Sequence, residues 1–266
     1  GGIASNYNKN YWGSEHNVAV IEADEYDRSF LKLWPDIAVL TAMDADHLDI
    51  YGDITALEEA FIQYTKNIKP DGTLWAKHGL PHGNKLQAKH KYTYSLQNSG
   101  ATAYATDVQI GDGGYTFNVA GKDWMLPQVR LNIGGMHNVE NCIVAIAVAK
   151  QLDIDDSLIK NAVAGFKGVK RRFEYIVKNE RTVYIDDYAH HPEELAALIK
   201  SAKTLFPDKR CVVAFQPHLF SRTRDFAEGF AHSLDMADEI LLLDIYPARE
   251  KPMEGVTIRT IADKMG

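Results

Sequence analysis

The length, composition and charge of the chain exclude several classes of protein. At 266 residues with 45% hydrophobic content, the chain can bury a core, and its length is more typical of two domains than of one. Its formal net charge of −7, with 29 Lys and Arg against 36 Asp and Glu, leaves no broad basic face for following a nucleic-acid backbone.

Hydropathy and cysteine usage favour a soluble protein of the cytoplasm. No apolar run approaches the roughly 20 residues that a membrane helix needs, and the N-terminus lacks the basic and apolar regions of a signal peptide. Cys142 and Cys211 each lie inside an apolar run, which is typical of reduced core thiols. We therefore expect neither membrane insertion nor a disulfide framework.

The first half of the chain predicts a mostly parallel sheet. The β-branched runs 18–21 and 37–41 are typical of strands buried on both faces, and acidic residues follow each run. An amphipathic helix comes after the second run and ends before Pro70. Between about 91 and 133, alternating pieces around the glycine-rich turn 111–114 predict an antiparallel flap on the sheet.

The second half predicts a separate α/β unit. Residues 138–152 have the pattern of a strong helix, and segment 165–170, rich in glycine and lysine, has the composition of a hinge. Beyond this hinge the alternation of strands and helices begins again. We predict an α/β fold class with two domains, at residues 1–170 and 171–266.

Ionisable residues cluster at four predicted strand ends. These clusters lie at 22–25, 44–49, 186–191 and 216–218. Because ligands in open α/β sheets bind outside the carboxyl ends of the strands, this coincidence is the first functional signal in the sequence.

Glu22 and His47 are candidate metal ligands at two of these ends. Taken singly, they are as consistent with a solvated loop acid and a satisfied histidine. If the two strands pair, the side chains emerge next to each other and could hold one divalent ion. The oxygen-rich surroundings favour Mg²⁺, although histidine is an uncommon ligand of that ion.

Two further pairs have both a structural and a functional interpretation. Asn138 and Asn141 share one face at the start of a predicted helix, where they either cap the helix or hydrogen-bond a purine edge. Arg171 and Arg172 at the hinge are either a solvated basic pair or a phosphate clamp. The histidine pair after Asp-Asp-Tyr is harder to dismiss, since so many polar groups at one strand end must be solvated or bound.

Six segments of the chain resemble motifs of the Mur ligases in order and approximate spacing. They are EADEYDRSF, DADHLDIYGD, GGMHNVENCIVAIAVA, GVKRRFEYI, DDYAHHPEEL and AFQPHLFSRTRDF. The resemblance covers nearly the whole chain, and the last two segments are similar to the alanine-adding branch. It implies part of a central ATP-binding domain followed by part of a Rossmann-like C-terminal α/β domain.

The resemblance implies an ATP- and Mg²⁺-dependent ligase of peptidoglycan synthesis that joins L-alanine to the carboxylate of UDP-N-acetylmuramate. It implies that Glu22 and His47 bind Mg²⁺ and that Asn138 and Asn141 face the adenine. It also implies that Arg172 contacts the γ-phosphate and that Asp187 binds the ribose.

The resemblance also implies where the two acceptor substrates meet. Tyr188, His190 and His191 would lie between alanine and the muramyl carboxylate, and His218 and Arg222 would receive the carboxylate of the amino acid. Arg172, His190 and His191 are the implied catalytic residues.

The sequence departs from the family pattern in three ways. It contains no Gly-x-x-x-x-Gly-Lys-Ser/Thr, and the resemblance places the chain downstream of the family's phosphate loop and UDP-sugar domain and short of its C-terminal end. We therefore expect the chain alone to be inactive. Leu219 stands where the family often has arginine. Phe61-Ile62-Gln63 occupy the place of a carbamylated lysine in sister ligases, so we expect that device to be absent.

Two alternatives stay open at this point, as does the oligomeric state. A murein-peptide ligase of cell-wall recycling shares the DEYD motif but usually carries extra residues before the next strand, whereas residues 28–35 run straight into it. A non-catalytic nucleotide-binding module would account for the missing phosphate loop.

Overall fold

The computed structural model describes residues 2–44, 48–248 and 250–266. The strands are β1 (Ile37–Leu40), β2 (Thr73–Lys77), β3 (His90–Ser95), β4 (Ala103–Gly111), β5 (Gly114–Ala120), β6 (Met125–Leu131), β7 (Glu174–Lys178), β8 (Val183–Asp186), β9 (Val212–Phe215) and β10 (Glu239–Leu242). The helices are α1 (Leu48–Tyr51), α2 (Ile54–Lys66), α3 (Met136–Gln151), α4 (Asp156–Gly165), α5 (Pro192–Leu205), α6 (Phe220–Asp225), α7 (Ala227–Leu234) and α8 (Arg259–Ala262). None of the described helices has the length and apolar content needed to cross a lipid bilayer.

The first six strands form one sheet in chain order. Strands β1 to β4 pair in parallel, and β5 and β6 continue the sheet with antiparallel pairing. The hairpin between β4 and β5 turns at Asp112 and Gly113, whose φ angles of 50° and 63° are those of a type I′ turn. The predicted α/β class is confirmed, and the expected antiparallel flap is an extension of the parallel sheet.

Helix α3 covers this sheet and fills its main core. Val139, Ile143 and Ile146 are at most 1% exposed and pack with buried strand residues such as Phe117 and Val119. Burying one such side chain contributes about 1.5 to 3 kcal/mol, so this face fixes the start of α3 firmly on the sheet. Near that start, Glu140 pairs with Lys77 at the carboxyl end of β2 at 2.9 Å and accepts from the Leu96 N–H just after β3 at 3.1 Å. The start of α3 therefore lies at the carboxyl ends of the strands, where ligands bind.

The strand predicted at residues 18–21 is wrong. In the structure these residues are not assigned to a strand, and Val20 is 96% exposed. A β-branched run has the propensity for a strand but becomes one only with a hydrogen-bonding partner. Within the described ranges β1 pairs with β2 alone, so segment 18–21 has no strand next to it on the sheet.

In the part of the second unit that the structure describes, the strands form two small sheets. Strand β8 pairs with β7 in antiparallel fashion, and β9 pairs with β10 in parallel. Helix α5 packs on α7 through Leu195, Ile199 and Phe230, each at most 2% exposed. The C-terminal α/β unit is thus confirmed, while its Rossmann-like completion stays a prediction.

The N-terminal segment lies against the linker between the two units. Asn6 donates from Nδ2 to the carbonyl oxygen of Gly165 at 2.7 Å and accepts at Oδ1 from the Lys167 N–H at 2.7 Å. The backbone also joins Ser5 to Gly168 at 2.9 Å. These bonds join the predicted hinge segment to the N-terminal segment.

Candidate active site

Asp187 lies just beyond the end of β8 and is oriented by backbone donors. Its Oδ2 accepts from the Phe173 N–H at 2.7 Å, and its Oδ1 accepts from the Ala189 N–H at 2.7 Å. Burial raises the pKa of Asp187, while the two N–H donors and the nearby charge of Arg172 act in the opposite direction. The linker and the strand-end loop therefore hold the same carboxylate.

The side chains that follow Asp187 form a row of rings. Ring centroids lie 5.0 Å apart for Tyr188 and His190, and 5.2 Å apart for His190 and His191. The row ends on Phe226, whose ring centroid lies 5.3 Å from that of His191. Phe226 directly follows α6. The structure thus brings the three predicted acceptor-side residues together and sets them next to α6.

Glu194 fixes the backbone of the histidine pair. Its Oε2 accepts from the N–H groups of His190 at 2.9 Å and His191 at 3.1 Å, and it lies 3.5 Å from His190 Nδ1. Glu194 is the third residue of α5, so one carboxylate both caps the helix and holds the site loop. It is not among the predicted site residues, although its spacing is that of a capping box.

Arg172 is exposed and lies between two anchored neighbours. The Tyr188 N–H donates to the Arg171 carbonyl at 2.8 Å on one side, and Phe173 is bound to Asp187 on the other. Its backbone is therefore fixed relative to the strand-end loop. The predicted phosphate-binding arginine and the predicted ribose-binding aspartate are close enough for the charge of Arg172 to affect Asp187.

The start of α3 belongs to the same locality. Burial lowers the pKa of His137, and the nearby charge of Arg172 lowers it further, whereas the charge of Asp187 acts in the opposite direction. Part of the His137 side chain is still exposed to solvent. Asn138 donates from Nδ2 to the Gly134 carbonyl at 2.6 Å, a local bond at the helix start, and Asn141 is exposed. Helix α3 begins at Met136 with Gly135 as its N-cap and without a side-chain cap hydrogen bond, so the interpretation of the asparagines as helix caps is wrong.

The ends of β9 and β10 carry the other predicted carboxylate-binding groups. The ring of His218 stacks on Tyr246 with centroids 5.4 Å apart, and the Leu219 N–H donates to the Tyr246 carbonyl at 2.9 Å. Leu219 has a φ of 74°, which sets the direction in which α6 leaves the sheet. Tyr246 is a site neighbour that no sequence pattern indicated.

The two arginines of α6 differ in their partners. Arg224 is bound through Nε to Asp225 at 2.7 Å and through Nη1 to the sulfur of Met253 at 3.7 Å. Arg222 is half-buried and forms no side-chain hydrogen bond with any residue in the described ranges, although Glu250 lies within electrostatic reach. Of the two, Arg222 has the more available guanidinium.

The predicted metal site is described only in part. Glu22 is exposed, and His47 lies outside the described residues. A cavity of about 290 Å³ at the end of β1 is lined by Glu25 and Asp44 together with apolar side chains such as Phe30. The described part of the chain contains no group of three or more potential metal ligands. The pairing of Glu22 with His47 stays a prediction.

Comparisons with known proteins identify the protein family to which the chain belongs. The pattern of the Mur ligase middle domain matches residues 7–149, and that of the Mur ligase glutamate ligase domain matches residues 171–266. The chain belongs to the Mur ligase family.

Individual relatives narrow the comparison. The chain is 46% identical over 266 residues to UDP-N-acetylmuramate–L-alanine ligase of Flavobacterium johnsoniae, covering 100% of this chain and 57% of the relative. It is 46% identical over 267 residues to the ligase of the same name from Parabacteroides distasonis, covering 100% of this chain and 58% of the relative. The chain thus spans somewhat over half the length of these relatives.

A solved structure agrees with this placement. The crystal structure of UDP-N-acetylmuramate-alanine ligase from Thermotoga maritima matches with a TM-score of 0.71 and 27% identity. The match covers 84% of this chain and 49% of that one.

Proposed function

We propose that the full-length protein is an ATP-dependent ligase that joins L-alanine to the carboxylate of UDP-N-acetylmuramate in the synthesis of peptidoglycan precursors in the cytoplasm. The observation that carries this proposal is the 46% identity, over all 266 residues, to a relative named for that reaction. The geometry of the β8 end supports it, because polar groups converge there from the linker, the strand-end loop and α5.

On the nucleotide side, we assign contacts to the groups near the start of α3. Asn138 and Asn141 face the adenine, Asp187 binds the ribose and Arg172 contacts the γ-phosphate. The carboxylate of Asp187 suits this role because its two N–H donors leave about two of its roughly four acceptor positions for sugar hydroxyls. Arg172 suits its role because it is exposed on a backbone that is fixed on both sides.

On the acceptor side, the row of rings and α6 form the reaction site. The γ-phosphoryl group of ATP passes to the muramyl carboxylate, the alanine amine attacks the acyl carbon, and inorganic phosphate leaves. Tyr188, His190 and His191 orient the two substrates, and His218 and Arg222 bind the alanine carboxylate. The chief task of the cations is electrostatic, because negative charge builds up on the phosphoryl and acyl oxygens.

The family relationship also calls for a divalent ion. The carboxylates of Glu25 and Asp44 around the cavity at the end of β1 are ligands of the type that Mg²⁺ prefers, and Glu22 lies in the same acidic segment. We assign the ion to Glu22 and His47. When bound, Mg²⁺ neutralises charge on the phosphate oxygens.

We also propose a boundary near residue 170 between an ATP-binding domain at 1–170 and a C-terminal ligase domain at 171–266. The family matches leave residues 150–170 between them, in agreement with this division. Relative movement of the two domains would bring the alanine site to the acyl phosphate and exclude water.

The test is phosphate release by the full-length gene product with different acceptors. ATP-dependent release that requires both L-alanine and UDP-N-acetylmuramate supports the proposal. Release that instead requires a murein tripeptide in place of alanine identifies a recycling ligase. Nucleotide binding without release for any acceptor identifies a non-catalytic module.

A further inference from the structure

We propose that Phe173 is a positioning residue that aims Asp187 and Arg172 at the nucleotide by holding the linker against the glycine pair that precedes α3. This inference rests on the proposed function, since it concerns how the nucleotide is recognised. It assigns a role to a residue whose side chain is buried in the core.

The backbone of the linker is bound directly to the loop after β8. Phe173 donates its N–H to Asp187 Oδ2 at 2.7 Å, and Arg171 accepts from the Tyr188 N–H at 2.8 Å. Arg172 lies between these two bonds. Any shift of Phe173 therefore moves both the carboxylate proposed for the ribose and the arginine proposed for the γ-phosphate.

The ring of Phe173 ties this arrangement to the first unit of the protein. Phe173 is 3% exposed and belongs to the same core as α3 and the six-stranded sheet. A Cβ atom on Gly134 would lie 2.0 Å from Cε1 of the ring, so the ring rests on the bare backbone of that glycine. Gly134 accepts from Asn138 Nδ2 at 2.6 Å, which places the ring next to the adenine-side residue.

The linker conformation indicates that these contacts determine its shape. Phe173 and Arg171 have φ angles of 48° and 58°, in the left-handed region that residues with a side chain seldom occupy. Such residues persist where surrounding contacts over-determine them. Here the contacts are the packed ring on one side and the two backbone bonds on the other.

A purely structural role predicts a different experimental result from a positioning role. If Phe173 only fills the core, its replacement lowers stability and leaves ligand preferences unchanged. If it aims Asp187, its replacement weakens recognition of the ribose in particular. The affinity ratio of ATP to 2′-deoxy-ATP and to 3′-deoxy-ATP separates these outcomes, because the analogues lack one hydroxyl each.

The experiment uses Gly134→Ala and Phe173→Leu in the full-length gene product. Gly134→Ala displaces the ring without replacing any residue that is proposed to contact the nucleotide, and Phe173→Leu shortens the side chain but keeps its N–H. Gly111→Ala is the matched control, because a Cβ atom there meets nothing within 4 Å. Nucleotide affinities are measured by calorimetric titration with Mg²⁺, thermal melts report folding, and Asp187→Asn serves as the reference for a lost ribose contact.

We expect the unmodified protein to prefer ATP over at least one deoxy analogue by about tenfold, as a charge-assisted hydrogen bond implies. Gly134→Ala and Phe173→Leu should reduce this preference to within about threefold, as Asp187→Asn does. Gly111→Ala should keep it.

Three results would overturn the inference. A folded Phe173→Leu protein with full ribose preference limits the residue to core packing, and the same preference in folded Gly134→Ala protein rules out transmission through the glycine. An unmodified protein that ligates alanine yet does not distinguish the analogues removes the ribose contact, while its ligase function stands. Failure of the unmodified protein to bind ATP would instead defeat the proposed function itself.

Discussion

The end of β8 and the segment before Glu22 have similar sequences and different structures. Each is a β-branched run followed by acidic residues, TVYIDDYAHH in one case and VAVIEADEYD in the other. Strand β8 is paired with β7, and Asp187 beyond it is held by two N–H groups at 2.7 Å. Segment 18–21 is not a strand, and Val20 is 96% exposed.

This difference shows what a strand-end motif needs before it becomes a site. The paired strand delivers its polar residues to a fixed place, where the linker and the start of α5 satisfy their backbone groups. Without pairing, the acidic residues after segment 18–21 are not aimed by the sheet. Four experiments can break or sharpen this comparison.

The largest expected effect is at the end of β8. Arg172→Ala in the full-length protein should lower kcat by roughly a hundredfold to a thousandfold, because a fixed cation is lost from developing phosphoryl charge. The exposed Arg181 in the turn between β7 and β8 is the matched control, and Arg181→Ala should change kcat less than twofold. Steady-state phosphate release measures both; equal effects would show that Arg172 acts only through net charge.

Of the two arginines in α6, we expect Arg222 to recognise the carboxylate of alanine. A bidentate arginine–carboxylate contact contributes about 1.5 to 3 kcal/mol, so Arg222→Ala should raise the KM for L-alanine roughly tenfold to a hundredfold and leave that for ATP within a fewfold. Arg224→Ala should have little effect, since Arg224 is bound to Asp225. If the two variants exchange these results, Arg224 is the carboxylate ligand.

The predicted metal ligands should show a weaker, metal-dependent effect. Glu22→Gln and His47→Ala should each raise the Mg²⁺ concentration for half-maximal activity by about tenfold, because a lost ligand weakens the bound ion. Glu15→Gln is the control, an exposed acid in the same part of the chain. Mg²⁺ titrations that coincide for Glu22→Gln and Glu15→Gln would remove Glu22 from the metal site.

The smallest expected effect tests the unpaired segment itself. Val20→Ala should change the free energy of unfolding by less than about 0.5 kcal/mol, as is usual for exposed positions. Val119→Ala should lower it by about 2 kcal/mol, because Val119 is 0% exposed in the core. Urea denaturation gives both values. A cost at Val20 that matches the cost at Val119 would mean that segment 18–21 is a buried strand in solution.

The sequence by itself predicted the elements whose cause is local. The glycine-rich turn at 111–114 predicted a hairpin, the amphipathic run before Pro70 predicted α2, and the pattern of residues 138–152 predicted α3. It also indicated which residues lie near the end of β8, since chain neighbours such as Tyr188 and His190 stay together whatever surrounds them.

Only the tertiary structure decided which long-range partners these residues have. Phe173 follows an arginine pair in a polar linker, and nothing local shows that its N–H binds Asp187 or that its ring rests on Gly134. The same limit explains the error at segment 18–21. Strand propensity resides in the residues themselves, whereas pairing and packing depend on groups that are distant in the chain.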